Sequence, residues 1–151
     1  MESDPRVVMM KQKLHEYYSV IESLKKMKET VLKDQEVITN ALIQLKQAGR
    51  TLSAVEGKKG EKVDMMVPVG GSAFVMGRME VSPKALVKIG PDLLAEKDIP
   101  DAIQTLNNRS EELEKGIKEN EGRFKALQEK EWVTVAQIED LKSLLSKTDL
   151  G

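Results

Sequence analysis

The chain has 151 residues, of which 32% are charged, 40% are hydrophobic and 3% are aromatic, and its formal net charge is −1. This charge-rich, aromatic-poor composition favours long helices or coiled coils over a compact globule. A balanced charge argues against nucleic-acid binding, which usually requires a basic excess. The sequence contains no cysteine, which excludes disulfides, thiolate zinc sites and a cysteine nucleophile.

The first residues lack the apolar run of a signal peptide, and no window approaches the roughly 18 apolar residues of a membrane span. We therefore expect a soluble, cytoplasmic protein.

A seven-residue repeat fills the first third of the chain. Ser3 or Asp4 can cap a helix, and Pro5 suits its first turn. The positions of the repeat form two sets, which are Val7, Leu14, Ile21, Lys28, Gln35, Leu42 and Gly49, and Met10, Tyr17, Leu24, Val31, Ile38, Leu45 and Leu52. Only Lys28, Gln35 and Gly49 interrupt the apolar character. A period of 3.5 residues sustained this long predicts a coiled-coil helix over residues 5–54.

The glycine- and lysine-rich segment 56–62 predicts a solvated turn that ends this helix. Over residues 63–97 the period changes to two, which predicts four short strands in two successive hairpins. Gly70-Gly71 can adopt the positive φ of a tight turn, and Gly90-Pro91-Asp92 forms the second turn. So small a β module cannot bury its own apolar side chains, so we expect it to complete its core with other subunits.

A second coiled-coil helix is predicted over residues 99–147, opened by Asp98 to Pro100. Its apolar seam comprises Ile103, Leu106, Leu113, Ile117, Phe124, Leu127, Ile138, Leu141 and Leu145, with Ser110, Asn120, Glu131 and Thr134 in the remaining positions. Gly116 and Gly122 weaken this helix, and off-seam apolar residues after Glu131 suggest a register shift there. Two helices of nearly equal length across a β insert predict an antiparallel pair, with Val7 near Leu145.

No residue pattern predicts catalysis. His15 is the only histidine, and we expect it to be a solvated side chain. The acidic pairs at 111–112 and 139–140 match ordinary helix-surface ion pairing, and Gly70-Gly71 lacks the lysine of a phosphate loop. The protein is predicted not to be an enzyme and to hold no metal or cofactor.

Apolar side chains that cannot all face one partner helix cluster at the end of the coil far from the hairpins. We call these residues, with their seam neighbours, the tip set: Val7, Val8, Met9, Met10, Leu14, Tyr17, Tyr18, Trp132, Val133, Val135, Leu141, Leu144 and Leu145. One interpretation is that they close the coil or contact oligomer neighbours. The other is that they form an adaptable apolar binding surface, a use to which flexible methionine side chains are suited.

The chain resembles the α-class subunits of the prefoldin family. The resemblance lies in LxxxxGKKGEKVDMMVPVGGSAFVMGRM at 52–79 and ALVKIGPDLLAEKDIPDAI at 85–103, above all in VPVG at 67–70, FV at 74–75, VKIG at 87–90 and AEK at 95–97. The two hairpins are the specific feature, because β-class subunits carry one. The family often has Gly-x-Gly at the second turn, where this chain has Gly90-Pro91-Asp92.

The resemblance implies a hexamer of two α and four β subunits, in which hairpins form a double β-barrel platform. The residues expected to assemble it, here called the hairpin set, are Val67, Val69, Phe74, Val75, Met79, Leu86, Val87, Ile89, Leu93 and Leu94. It further implies that the coil tips hold unfolded client proteins without nucleotide and deliver them to a group II chaperonin. The alternative is a structural coiled-coil adaptor that oligomerises through its β module and binds one specific folded partner.

Overall fold

The computed structural model describes residues 4–149. It contains two long α-helices with two β-hairpins between them, which confirms the predicted fold class. The elements in chain order are α1 (Pro5–Val55), β1 (Lys62–Gly70), β2 (Ala73–Glu80), β3 (Lys84–Gly90), β4 (Leu93–Asp98) and α2 (Ile99–Asp149). The fold comprises two compact units. The first contains the chain up to Thr39 and from Lys115 onward, and the second contains residues 40–114.

Asp4 caps α1. Its carboxylate Oδ1 accepts a hydrogen bond of 2.9 Å from the Arg6 backbone N–H, and its carbonyl accepts those of Val7 and Val8. These bonds satisfy donors that the first helical turn would otherwise leave unpaired. Ser3, the other predicted cap, lies outside the described residues. At the opposite end Gly57 has a φ of 82°, the left-handed conformation with which helices commonly terminate.

The heptad pattern of α1 corresponds to burial. Every position in the two predicted sets is buried or half-buried, and between Asp4 and Ala54 only Thr39 and Ala41 share that status. In the first unit the two helices run antiparallel. Tyr18 contacts Lys142, Lys28 contacts Glu131, and Ile38 approaches Gly116, so residue numbers on α2 decrease as those on α1 increase. The prediction of an antiparallel coiled coil is therefore correct within this unit, but the predicted alignment of Val7 with Leu145 is wrong, because Tyr18 rather than Val7 lies beside that part of α2.

The α2 seam runs without a register shift, so that prediction is wrong. Seam positions continue at alternating spacings of three and four residues through Glu131 and Thr134 to Ile138. Two polar side chains of this stretch, Glu131 and Thr134, remain in the seam because each has a polar partner. Glu131 pairs with Lys28, and the Thr134 hydroxyl donates a 2.8 Å hydrogen bond to the Lys130 carbonyl. No shift is needed to remove them.

Each hairpin forms its own two-stranded antiparallel sheet. In the first, Gly70 pairs with Ala73, and the two loop residues Gly71 and Ser72 have φ values of 56° and 62°. Two central residues with positive φ define a type I′ turn, which matches the twist of the strands. In the second, Gly90 pairs with Leu93 around Pro91-Asp92, neither of which has a positive φ. Pro91 thus fits this turn with its ordinary φ.

A small core in the second unit joins the connecting segments. Val81, which is 2% exposed, donates its N–H to the Glu61 carbonyl and accepts a bond from the Gly60 N–H, both at 2.9 Å. The Ile99 N–H bonds to the Pro83 carbonyl, and Ala102 is fully buried. These bonds join the linker between the two hairpins to the segment before β1 and to the first residue of α2.

Replacing Gly122 with alanine is expected to raise the free energy of unfolding by about 0.5–1 kcal/mol, the helix-interior difference between the two residues. A Cβ there would meet no atom within 4 Å, and one at Gly116 would meet only the Ile38 side chain at 3.8 Å, an ordinary contact. Urea unfolding, monitored by circular dichroism, measures the free energy of unfolding of Gly122→Ala and of Gly116→Ala. A Gly57→Ala control should lose stability, because its φ is positive. Destabilisation by G122A would contradict the expectation.

Candidate functional site

The hairpins present apolar side chains on both faces. Cross-strand pairing places Val67 opposite Val75 on one face of the first hairpin and Met66 opposite Met76 on the other. All four of these side chains are exposed. On the second hairpin Leu86 and Leu94 are exposed on one face, while Val87 on the other is already buried within the chain. Of the hairpin set, every member except Val87 is therefore accessible to another molecule.

The tip set divides into two groups in the first unit. The seam members are half-buried, apart from the buried Leu141, and they are Val7, Met10, Leu14, Tyr17, Leu141 and Leu145. The others are exposed, and they are Val8, Met9, Tyr18, Trp132, Val133, Val135 and Leu144. Met9 is 69% exposed, Trp132 63% and Val133 60%. Closure of the coil accounts for the first group and leaves the second uncovered.

A tyrosine and a lysine form a polar contact beside these residues. The Lys142 ammonium lies 5.5 Å from the centroid of the Tyr18 ring, a cation–π distance. A hydrogen bond with the Tyr18 phenol, followed by its charge, raises the pKa of Lys142 above its ordinary value. Lys142 is therefore protonated at neutral pH, and this contact places a fixed positive charge at the margin of the exposed apolar group.

A charged pair occupies the seam of the same unit. The Lys28 ammonium lies 2.5 Å from Glu131 Oε2, and both side chains are mostly buried. Glu131 Oε2 makes no directed hydrogen bond, so the contact is an ion pair held by charge. Lys28 also lies 5.6 Å from the Phe124 ring centroid. Each of the two residues interrupts an apolar seam in the sequence, and their contact was not predicted.

Further apolar side chains outside the tip set border the seam. Val20 and Met27 are exposed on α1, and they line two adjoining depressions between the helices together with Ala126 of α2. They were not among the site residues predicted from the sequence. The signal that could have found them is their position immediately beside the seam, where a coiled coil usually carries charge.

Between residues 4 and 149 no group of three or more histidine, cysteine, aspartate or glutamate side chains is placed to hold a metal. His15 is exposed on α1. Neither helix, over the part of the chain that the structure describes, has a stretch both long and apolar enough to cross a bilayer.

Comparison with known proteins gives a consistent result. The family model described as "Prefoldin subunit" matches residues 8–141. A prefoldin subunit alpha of Methanococcus maripaludis is 30% identical over 86 residues, which is 57% of this chain and 59% of the relative. That of Pyrococcus horikoshii is 24% identical over 113 residues, covering 75% of this chain and 76% of the relative. The chain thus spans about three fifths of the length of the first of these relatives.

A solved structure shares the fold. A chain of the filamentous PFD from Methanocaldococcus jannaschii, determined by cryo-EM, superposes with a TM-score of 0.51 at 23% identity, covering 83% of this chain and 98% of that chain. The region that the family model matches includes most of both helical seams and the whole two-hairpin block that carries the resemblance. The chain belongs to the prefoldin subunit family, and it is similar to relatives named as prefoldin α subunits.

Proposed function

We propose that this chain is an ATP-independent chaperone subunit that captures unfolded proteins through the exposed members of the tip set. The observation that supports this most is the exposure of Met9, Trp132, Val133 and Leu144 beside a seam that is already closed. Burying a side chain of this size against another protein is worth about 1.5–3 kcal/mol. Apolar groups left in water beside a closed seam mark a surface for contact.

The chemistry of these residues suits unfolded clients rather than one shaped partner. Met9 is flexible and polarisable, so it conforms to different apolar side chains. Trp132 offers a large rigid face together with an indole N–H donor. Each such contact is weak, and several copies of the chain in one assembly would hold a client by avidity. Nucleotide has no role in this mechanism.

Delivery of captured clients to a group II chaperonin is part of the same proposal. It rests on membership of the prefoldin family. Assembly as two α and four β subunits is proposed on that ground too, with the exposed apolar faces of both hairpins as the surfaces that β subunits would cover. We propose the cytoplasm as the site of this activity.

Removing residues 1–10 together with 141–151 is expected to abolish most of the chaperone activity. We expect roughly tenfold more protein to be needed for the same suppression of aggregation of a denatured model protein, because multivalent contacts are lost together. A Met9→Ser/Trp132→Ser variant should lose activity in the same direction while keeping its helical circular dichroism. The matched control is Val37→Ser, an exposed apolar residue of α1 outside the tip set. Unchanged suppression by both the truncated chain and the Met9→Ser/Trp132→Ser variant would refute tip capture.

The second candidate is the structural adaptor that binds one folded partner. The same exposed apolar residues favour it if they fit a single complementary surface. Pull-downs with several unrelated denatured proteins separate the two functions. A chaperone subunit retains all of them, and an adaptor retains none but binds one native protein tightly.

A further inference from the structure

A second apolar surface lies on one side of the helix pair in the first unit, outside the exposed tip set except for Val133. Two depressions of about 430 and 330 Å³ adjoin there, since Ala126 and Lys130 line both. Val20 and Val133 are exposed in the first, and Met27, which is 50% exposed, lies in the second. We refer to this surface, formed by residues 20–31 and 123–134, as the side groove.

The side groove follows the seam for about three helical turns. Its α1 wall is built from Val20, Leu24, Met27 and Val31, residues spaced by four, three and four. At 1.5 Å per residue these span about 16 Å. The spacing is that of a surface into which the apolar ridge of another helix packs.

The backbone groups of the side groove favour a helical ligand over an extended peptide. Both walls are α-helical, so their N–H and C=O groups are already bonded within each helix. An extended peptide lying on the apolar floor would leave its own backbone groups unpaired, which costs free energy for every buried group. A helical ligand satisfies its backbone internally and offers only side chains.

Charge on the rim defines the partner further. Arg123 and Lys130 line the second depression, and neither forms an ion pair with any residue between 4 and 149. Glu129 is the acidic residue on the rim of the first. Two cations without an ion-pair partner among the described residues, beside this apolar floor, complement carboxylates placed next to an apolar ridge.

We propose that the side groove binds an amphipathic α-helix of a partner protein whose apolar face is flanked by acidic residues. The bound helix would complete a three-helix arrangement with α1 and α2. This ligand class goes beyond capture of unfolded chains at the tip set, because it requires a segment that is helical when bound.

The test is titration of the full chain with a labelled synthetic peptide of about four helical turns. The peptide has leucines at i, i+3, i+4 and i+7 with glutamates beside them. We expect binding with a gain in peptide helicity, at least tenfold weaker binding to Met27→Ser, and no change for Val37→Ser. A peptide of the same composition in scrambled order should bind at least tenfold more weakly. Lys130→Glu should shift preference towards a peptide with lysine flanks, whereas Lys125→Glu should not.

Three results would overturn the proposal. They are equal binding of the ordered and scrambled peptides, equal affinity of the Met27→Ser and Val37→Ser variants, or a dimer of the chain alone that Met27→Ser dissociates. The last would make a second copy the occupant. Failure here is distinct from failure of the tip proposal, because Met27 is outside the tip set. Met9→Ser/Trp132→Ser should reduce aggregation suppression and leave peptide affinity unchanged.

Discussion

Replacing Glu131 with leucine is expected to lower the free energy of unfolding by about 2 kcal/mol, because the Lys28 ammonium would then lie in the seam without its counter-ion. A fully buried pair would lose more. The side chains here retain 20% and 17% of their exposure, which reduces the loss through solvent screening. Urea unfolding at neutral pH, followed by helical circular dichroism, measures the change.

The double variant Lys28→Leu/Glu131→Leu should recover the wild-type stability or exceed it. Two leucines remove both charges together and restore the ordinary apolar seam, so no desolvated charge remains. The matched control is the other ion pair between the helices, Lys46–Glu114, whose side chains are 50% and 46% exposed. Lys46→Leu should change stability by no more than about 0.5 kcal/mol. A double variant less stable than Glu131→Leu alone would contradict the interpretation of the pair.

The periodic parts of this fold could be predicted from sequence, because each hydrophobic period corresponds to one pattern of side-chain burial in a helix or a strand. The 3.5-residue repeat predicted which α1 side chains face the seam, down to Gly49 and Gln35. The strand alternation and Gly70-Gly71 predicted the first hairpin, whose turn also draws Ser72 into positive φ. These are local signals, so they survive without knowledge of the partner segment.

Pairwise features were harder to predict. Lys28 and Glu131 are far apart in sequence, and nothing local states that an interruption in one helix meets an interruption in the other. Without that pairing, a register shift is one explanation for a glutamate at a seam position. The side groove was missed for a related reason. Val20 and Ala126 are unremarkable individually, and they form a surface only when the antiparallel alignment is known.

Whether a residue lies in the seam divides the tip set into buried and exposed members, and residue type alone does not. Leu141 and Leu144 are both leucines near the end of α2, yet Leu141 is buried and Leu144 is 53% exposed. The α2 pattern had placed Leu141 in the seam and Leu144 outside it. The surface proposed to bind clients is thus the part of the tip set that the helices do not use for each other.

Replacing Leu86 with lysine is expected to weaken assembly with a β-class prefoldin subunit by roughly 30-fold. Burial of a leucine contributes about 2 kcal/mol, which corresponds to that factor, and burial of an unpaired ammonium adds a cost. The isolated hairpin should tolerate the change, because Leu86 is 67% exposed and lies opposite Glu96, with which lysine can pair. Unchanged circular dichroism would show that the fold is retained.

The control for this variant is Leu32→Lys, the same substitution at an exposed leucine of α1 outside the hairpins. Masses in solution, measured with and without the β-class subunit, should show assembly for the wild type and Leu32→Lys and its loss for Leu86→Lys. Phe74→Lys tests the first hairpin in the same way. If Leu86→Lys and Phe74→Lys assemble as well as Leu32→Lys, the apolar hairpin faces do not form the subunit interface. Intermediate loss in only one of them would instead restrict the interface to a single hairpin, and the other hairpin's exposed apolar face would require a different partner.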